Sequence, residues 1–260
     1  RIRIMGLEQI GLGFPFSDPV NFLNKIYSNS LLDKLSSFLR GLLTWDQEPS
    51  LDSLRCTSNS TGEIVIGSDG ERKGLSSVYL NSVQDIGMAE FSQLIVASGH
   101  FLKLLDLTGT NLAVAALSSP GLRLSNLESL ILANCTKGDL DVKRMLQFCG
   151  PSLKTLNLTA SSVSGEDLTG SNLSLINLED LNLSGCKLLS DRGLKVILGL
   201  CGPNLKSLDL GKTEIHCHGL SDSNIMLWNL QSLNLSSCAD LITDYGLSEV
   251  ISICGPKLKV

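Results

Sequence analysis

Aromatic residues make up only 5% of this 260-residue chain, although hydrophobic residues reach 43%. A core of that size must be filled by aliphatic side chains rather than rings. Basic residues are outnumbered, 21 Lys and Arg against 26 Asp and Glu. With no basic stripe to neutralise phosphates, a nucleic-acid partner is not expected. No apolar run approaches the ~20 residues that cross a bilayer, so no membrane span is expected. There are three histidines, and the chain contains no G-x-S-x-G, no P-loop and no G-x-G-x-x-G after a strand. Catalysis and a resident cofactor are therefore not expected. His216-Cys217-His218 is the only tight group of metal-type ligands in the sequence. No second pair lies at zinc spacing, which favours an exposed turn over a metal site.

What the chain does have is leucine at fixed spacing. Leu178-x-x-Leu181-x-Leu183 recurs as Leu205/Leu208/Leu210 and Leu230/Leu233/Leu235. Upstream it appears as Leu153/Leu156/Leu158, Leu127/Leu130/Leu132, Leu102/Leu105/Leu107 and Leu75/Val78/Leu80, with a faint copy at Leu51/Leu54/Cys56. Successive copies start 24 to 27 residues apart. Leu-x-Leu alternation is strand geometry, with the leucines on one face. One such strand cannot bury its face alone, so neighbouring copies must stack into a parallel sheet over a shared core. Three residues after the last leucine stand Thr110, Cys135, Ser161, Cys186, Thr213 and Cys238. These are small hydroxyls and thiols, able to bond a turn's backbone.

A helical rhythm follows in every second copy. Leu194, Ile197, Leu198 and Cys201 fall at i, i+3, i+4 and i+7, and the phase repeats at Val142/Met145/Leu146/Cys149 and Leu247/Val250/Ile251/Cys254. Such a stripe buries one face of a short helix. Asp139, Asp191 and Asp244 stand where N-caps are expected. Gly150-Pro151, Gly202-Pro203 and Gly255-Pro256 stand where the helices should stop. The intervening copies lack this helix and carry Pro120-Gly121, Gly165, Gly170 and Gly219, which predict turns or a scrap of helix. The helical copies start 51 or 52 residues apart, as duplication of a two-repeat unit would produce.

The form L-x-x-L-x-L-x-x-C followed by (S/T)-D-x-G-L-x-x-(V/I)-(I/L)-x-x-C resembles the cysteine-containing class of leucine-rich repeats. Ser190-Asp191-Arg192-Gly193-Leu194 and Thr243-Asp244-Tyr245-Gly246-Leu247 carry the likeness. The resemblance implies an α/β leucine-rich repeat solenoid, a curved parallel sheet on the concave side with short helices and turns on the convex side. That class is best known from F-box proteins, whose solenoid captures substrates for a ubiquitin ligase. Residues 51–260 are the repeat domain. The motif restarts at Lys257-Leu258-Lys259-Val260, so this domain is expected to be truncated at its C-terminal end.

Residues 1–50 are read as a helical N-terminal segment, a cap for the solenoid or a degenerate F-box. Residues 18–45 carry helically spaced apolar side chains. Pro19, Ile26-Tyr27-Ser28 and Trp45 give some likeness to an F-box, without its leading Leu-Pro pair. On that reading Ile26 and Trp45 would contact a Skp-type adaptor. Gly6 to Leu12 is a candidate further strand.

The eight cysteines do not read as a disulfide scaffold. Ladder cysteines recur every second repeat, so Cys135 and Cys186 should lie ~10 Å apart, beyond disulfide reach. Reduced thiols suit a cytoplasmic or nuclear protein. Sequons at Asn59, Asn134, Asn157, Asn172, Asn182 and Asn234 support the alternative of a secreted recognition domain. A protein partner is expected on the concave strands, at Tyr79, Asp106, Ile131, Asn157, Asp180, Asn182, Asp209 and Asn234. The chain is thus expected to be a non-catalytic interaction scaffold, whether free-standing, in a ubiquitin ligase, or extracellular.

Overall fold

The computed structural model describes residues 3–4, 53–56, 64–67, 77–80, 102–110, 124–135, 142–221, 224–238 and 243–259. Seven consecutive copies of the leucine motif form strands: β4 (Ser77–Tyr79), β5 (Leu104–Asp106), β6 (Ser129–Ile131), β7 (Thr155–Asn157), β8 (Asp180–Asn182), β9 (Ser207–Asp209) and β10 (Ser232–Asn234). They pair in parallel in sequence order, with Leu105, Leu130, Leu156, Leu181, Leu208 and Leu233 opposite one another. The register is the one in which every middle leucine faces inward. Slipping it by one residue would turn the whole leucine set to solvent.

The faint copy is a real strand. β2 (Ser53–Cys56) pairs in parallel with β4, Leu54 opposite Val78. The sheet then departs from simple repetition: β3 (Ile64–Gly67) runs antiparallel to β2, and β1 (Arg3–Ile4) pairs in parallel with β3. Strand pairing at residues 3–4 thus lies within the segment read as helical. Residues 18–45, with Ile26 and Trp45, and the Gly6 to Leu12 candidate lie outside the described residues.

Helices cover the other side in every second repeat: α1 (Val142–Cys149), α2 (Asp191–Leu200) and α3 (Asp244–Ile253). In the short repeat from Leu153, the scrap of helix is one 3-10 turn, Glu166–Leu168. The motif leucines of repeats 102 to 210 are 0 to 3% exposed and form one continuous cluster with the inward faces of α1 and α2. Each buried leucine contributes about 1.5–3 kcal/mol.

Two local expectations are corrected. The N-caps are Ser190 and Thr243, not the aspartates after them. Ser190 Oγ accepts from Gly193 N at 3.0 Å, and Thr243 Oγ1 from Gly246 N at 3.3 Å. A hydroxyl one residue earlier reaches the third amide of the first turn, which leaves Asp191 and Asp244 inside the helix. Asp139 lies outside the described residues. The helix ends are not left-handed glycine caps either. Cys201 and Cys254 close α2 and α3 in extended conformation and bridge to Leu175 and Leu227. The following glycines are required by crowding, since a Cβ on Gly202 would lie 2.7 Å from Ile176 O, and one on Gly255 2.5 Å from Trp228 O. Cys201, expected as a small buried hydrophobe at the end of its helix, is the C-cap of α2 and packs half-buried against the core, whereas Cys149 is within α1 and fully buried.

Candidate partner-binding surface

At the end of each strand the chain makes the same turn. Gly109, Asn134, Ala160, Gly185, Lys212 and Ser237 all have φ between 52° and 71°, and only two are glycine. The shared turn is enforced by bonds to the next repeat. The amides of Gly109, Asn134, Ala160, Gly185 and Lys212 donate to Ala133, Thr159, Ser184, Gly211 and Ser236 carbonyls at 2.7 to 2.8 Å.

The small residue that follows does the work expected of it, across repeats as well as within them. Thr110 Oγ1 and Cys135 Sγ both donate to Leu107 O, at 2.8 and 3.2 Å. Thr213 Oγ1 and Cys238 Sγ share Leu210 O in the same way, at 2.6 and 3.2 Å. Cys186 Sγ donates to Leu158 O at 3.0 Å. One turn carbonyl thus binds the hydroxyl of its own short repeat and the thiol of the next long one. All seven cysteines from Cys135 to Cys254 are free thiols. Burial pushes Cys149, Cys201 and Cys217 up to about 12, and raises Cys135, Cys186 and Cys254 as well. A raised thiol pKa leaves little thiolate at neutral pH.

The strand face is less open than the sequence suggests. Asn157 Oδ1 accepts from Thr159 N and Oγ1 at 2.9 and 2.6 Å, and Asp106 Oδ1 from Thr108 N and Oγ1 at 2.9 and 2.6 Å. Asn182, Asp209 and Asn234 accept from the amides of Ser184, Gly211 and Ser236 at 2.8 to 2.9 Å. Each of these side chains holds its own turn, the standard use of Asn and Asp two residues before an amide. Asp106, expected among the partner-facing residues, is only 7% exposed. Tyr79, Ile131, Asn157, Asn182, Asp209 and Asn234 are half-buried; Asp180 and Ser232 are exposed. The exposed side chains of these strands are therefore on β8 and β10, and Asp180 is the exposed acid among them.

Two columns that hydrophobic spacing does not pick out lie beside this face. The residue just after the first motif leucine alternates in sign: Lys103, Glu128, Lys154, Glu179, Lys206. Glu128 accepts from Lys103 at 2.9 Å and Lys154 at 2.8 Å, and Glu179 from Lys206 at 2.7 Å. The residue just before that leucine is asparagine in four repeats. Asn177, Asn204 and Asn229 donate through Nδ2 to the carbonyls of Pro151, Ile176 and Pro203 at 2.7 to 3.0 Å. Both columns are visible in the sequence once the repeats are aligned.

On the convex side, Asp191 Oδ1 accepts from His216 N and Cys217 N at 2.8 and 2.7 Å. This bond places the His-Cys-His stretch: Cys217 is buried, and His216 and His218 are exposed with ring centroids 5.6 Å apart. Among the described residues no group of three metal-ligand side chains converges. Glu249 on α3 is 4% exposed and accepts from Ser221 N and Oγ at 2.9 and 2.8 Å.

These two glutamates tie stability to acid pH. Hydrogen bonds from Lys154 and Lys103 lower Glu128 to about 2, and those from Tyr245 and Ser221 lower Glu249 to about 2, against a usual 4.5. A depressed folded pKa gives stability that is present above the unfolded value and lost as pH falls through the folded one. The thermal midpoint should therefore lose a modest contribution from these groups between about pH 4.5 and 2, because solvent screens the Glu128 pairs, and Glu128→Gln with Glu249→Gln should flatten that slope. An unchanged slope in the double variant would refute the assignment.

No family model matches the chain. A 121-residue stretch, 45% of the chain, is 36% identical to F-box/LRR-repeat protein 4 of Bos taurus. The chain is a leucine-rich repeat solenoid, F-box/LRR-like in sequence. The match covers only 18% of that relative's length. Among solved structures the solenoid is similar to an internalin of Listeria monocytogenes (21% identity, TM-score 0.42, 62% of this chain and 40% of that one). It is also similar to a leucine-rich repeat protein of Leptospira interrogans (22% identity, TM-score 0.44, 81% and 48%).

Proposed function

We propose that this leucine-rich repeat chain is a non-catalytic scaffold that binds a protein on the strand face around β8 to β10. The observation that carries the reading is the exposed Asp180 on a face otherwise of small polar groups fixed in position by their own turns. Such a surface binds with little rearrangement, and its charge mainly governs association rate. Asp209 is no clean probe because it holds the Gly211 amide, and Lys195 is half-buried on α2. The test uses Asp180→Lys with Ser232→Lys on the strand face, and Arg192→Glu on α2, as baits in parallel affinity purifications quantified by mass spectrometry. Partners should be reduced at least about tenfold by the strand-face pair and retained by the convex variant. The reverse pattern would move the partner to the helices.

A finer reading is substrate recognition within an F-box ubiquitin ligase, favoured by the likeness to the bovine F-box/LRR-repeat protein. Binding of a Skp-type adaptor by the intact chain, abolished by Ile26→Ala with Trp45→Ala, would support it; absence of binding would remove it. We place the protein in the cytoplasm or nucleus. The seven free thiols support a reducing compartment. The sequon side chains Asn157, Asn182 and Asn234 are engaged in their turns.

A further inference from the structure

Along the flank where the chain enters the strands, successive repeats expose Pro151, Ile176, Pro203, Trp228 and Pro256. All five stand two residues before the first motif leucine. Ile176 is 51% and Trp228 55% exposed, large values for side chains this apolar. Their backbones are not free to move. Pro151, Ile176 and Pro203 carbonyls are held by the asparagine column, and Gly202 and Gly255 press on the Ile176 and Trp228 backbones. The result is a rigid apolar row, four repeat spacings or ~19 Å long.

Charge along this row opposes that of the whole chain. The five segments that carry it, residues 150–154, 174–179, 201–206, 225–231 and 254–259, contain four lysines, Lys154, Lys206, Lys257 and Lys259, and one acid, Glu179. That acid is paired with Lys206, and Lys154 is paired with Glu128, which leaves Lys257 and Lys259 as the lysines of the strip outside the ion pairs of the described residues. Each lysine is within three residues of a row member, at most ~10 Å of chain. A protein of net charge −5 therefore presents an apolar strip on one flank, with two lysines, Lys257 and Lys259, at one end of it.

We propose that this flank is a second docking surface, for an extended acidic segment of a partner protein. The segment's apolar side chains would lie on the Pro-Ile-Pro-Trp-Pro row while its carboxylates reach Lys257 and Lys259. Rings of proline and tryptophan suit extended chain, which they contact flat and without ordering further side chains. Six or so extended residues span the row. The surface is separate from the strand face, so either assignment can fail alone.

The test is fluorescence anisotropy with the full chain and two labelled peptides of about eight residues, one alternating glutamate with leucine, the other lysine with leucine. The acidic peptide should bind at least about tenfold more tightly and weaken with salt. Ile176→Ser with Trp228→Ser, and separately Lys257→Glu with Lys259→Glu, should each cost about fivefold or more. These side chains are exposed, and circular dichroism of each variant checks that it folds. Asp180→Lys should leave peptide binding unchanged. Equal affinity for both peptides, insensitivity to both flank variants, or flank-dependent self-association in sedimentation would overturn the proposal.

Discussion

Replacing Gly193 with alanine should cost the fold more than about 4 kcal/mol, while Gly199→Ala in the same helix should stabilise it by about 0.5–1 kcal/mol. Both glycines lie in α2, so propensity alone predicts a gain at each. Packing reverses the sign at Gly193. A Cβ there would stand 1.8 Å from Ser164 O and 3.1 Å from the Gly165 Cα. The obstruction is backbone, and it is pinned: Gly165 itself sits at φ 81° and has no room for a side chain against Gly193. Relief would need α2 to lift from the short repeat, breaking the bond from Ser190 Oγ to Glu166 at 2.7 Å. At Gly199 a Cβ meets nothing within 4 Å. Urea unfolding of the two variants measures the difference directly. Similar values for both would mean that the long and short repeats do not touch in this way.

Cys149→Asp should destabilise by about 3–5 kcal/mol, and Cys149→Ala by about 1 kcal/mol. The thiol is 0% exposed and donates to Met145 O at 3.1 Å. A carboxylate in its place would be acceptor-only, facing a carbonyl with no cation to pair it. The ionised form is already disfavoured for the thiol, whose pKa burial alone drives to about 12. If the two variants unfold at the same urea concentration, the site is wetter than this geometry allows. The contrast separates loss of packing from burial of charge, which one substitution could not do.

The leucine positions carry nearly all of the fold's information because each has a single physical job. Leu156, Leu181 and Leu208 can face only inward, so their spacing fixes strand, register and repeat length together. Cys186 and Thr213 are equally legible, as small donors at the one place each turn has a spare carbonyl. The strand face is harder to read. Asn157 and Asp106 look like partner-facing groups by alternation, yet their oxygens bond amides two residues on, and only coordinates show that competition. Residue type gives the group's capacity; its local backbone decides whether the capacity is already used. The Ser190 cap is a similar case, where two adjacent residues could each serve and one residue of phase decides. The antiparallel β3 carries no leucine motif, so repetition does not reach it.

Short and long repeats stack in one register and share one core. Amide hydrogen exchange tests it at single-residue resolution. The amides of Leu107, Leu158 and Leu210 in short repeats, and of Leu132 and Leu183 in long ones, all donate to carbonyls of the following repeat at 2.8 to 2.9 Å. The structure predicts comparable protection for all five, lost together in one unfolding event. Protection confined to Leu132 and Leu183, with Leu158 and Leu210 exchanging as open chain, would contradict it.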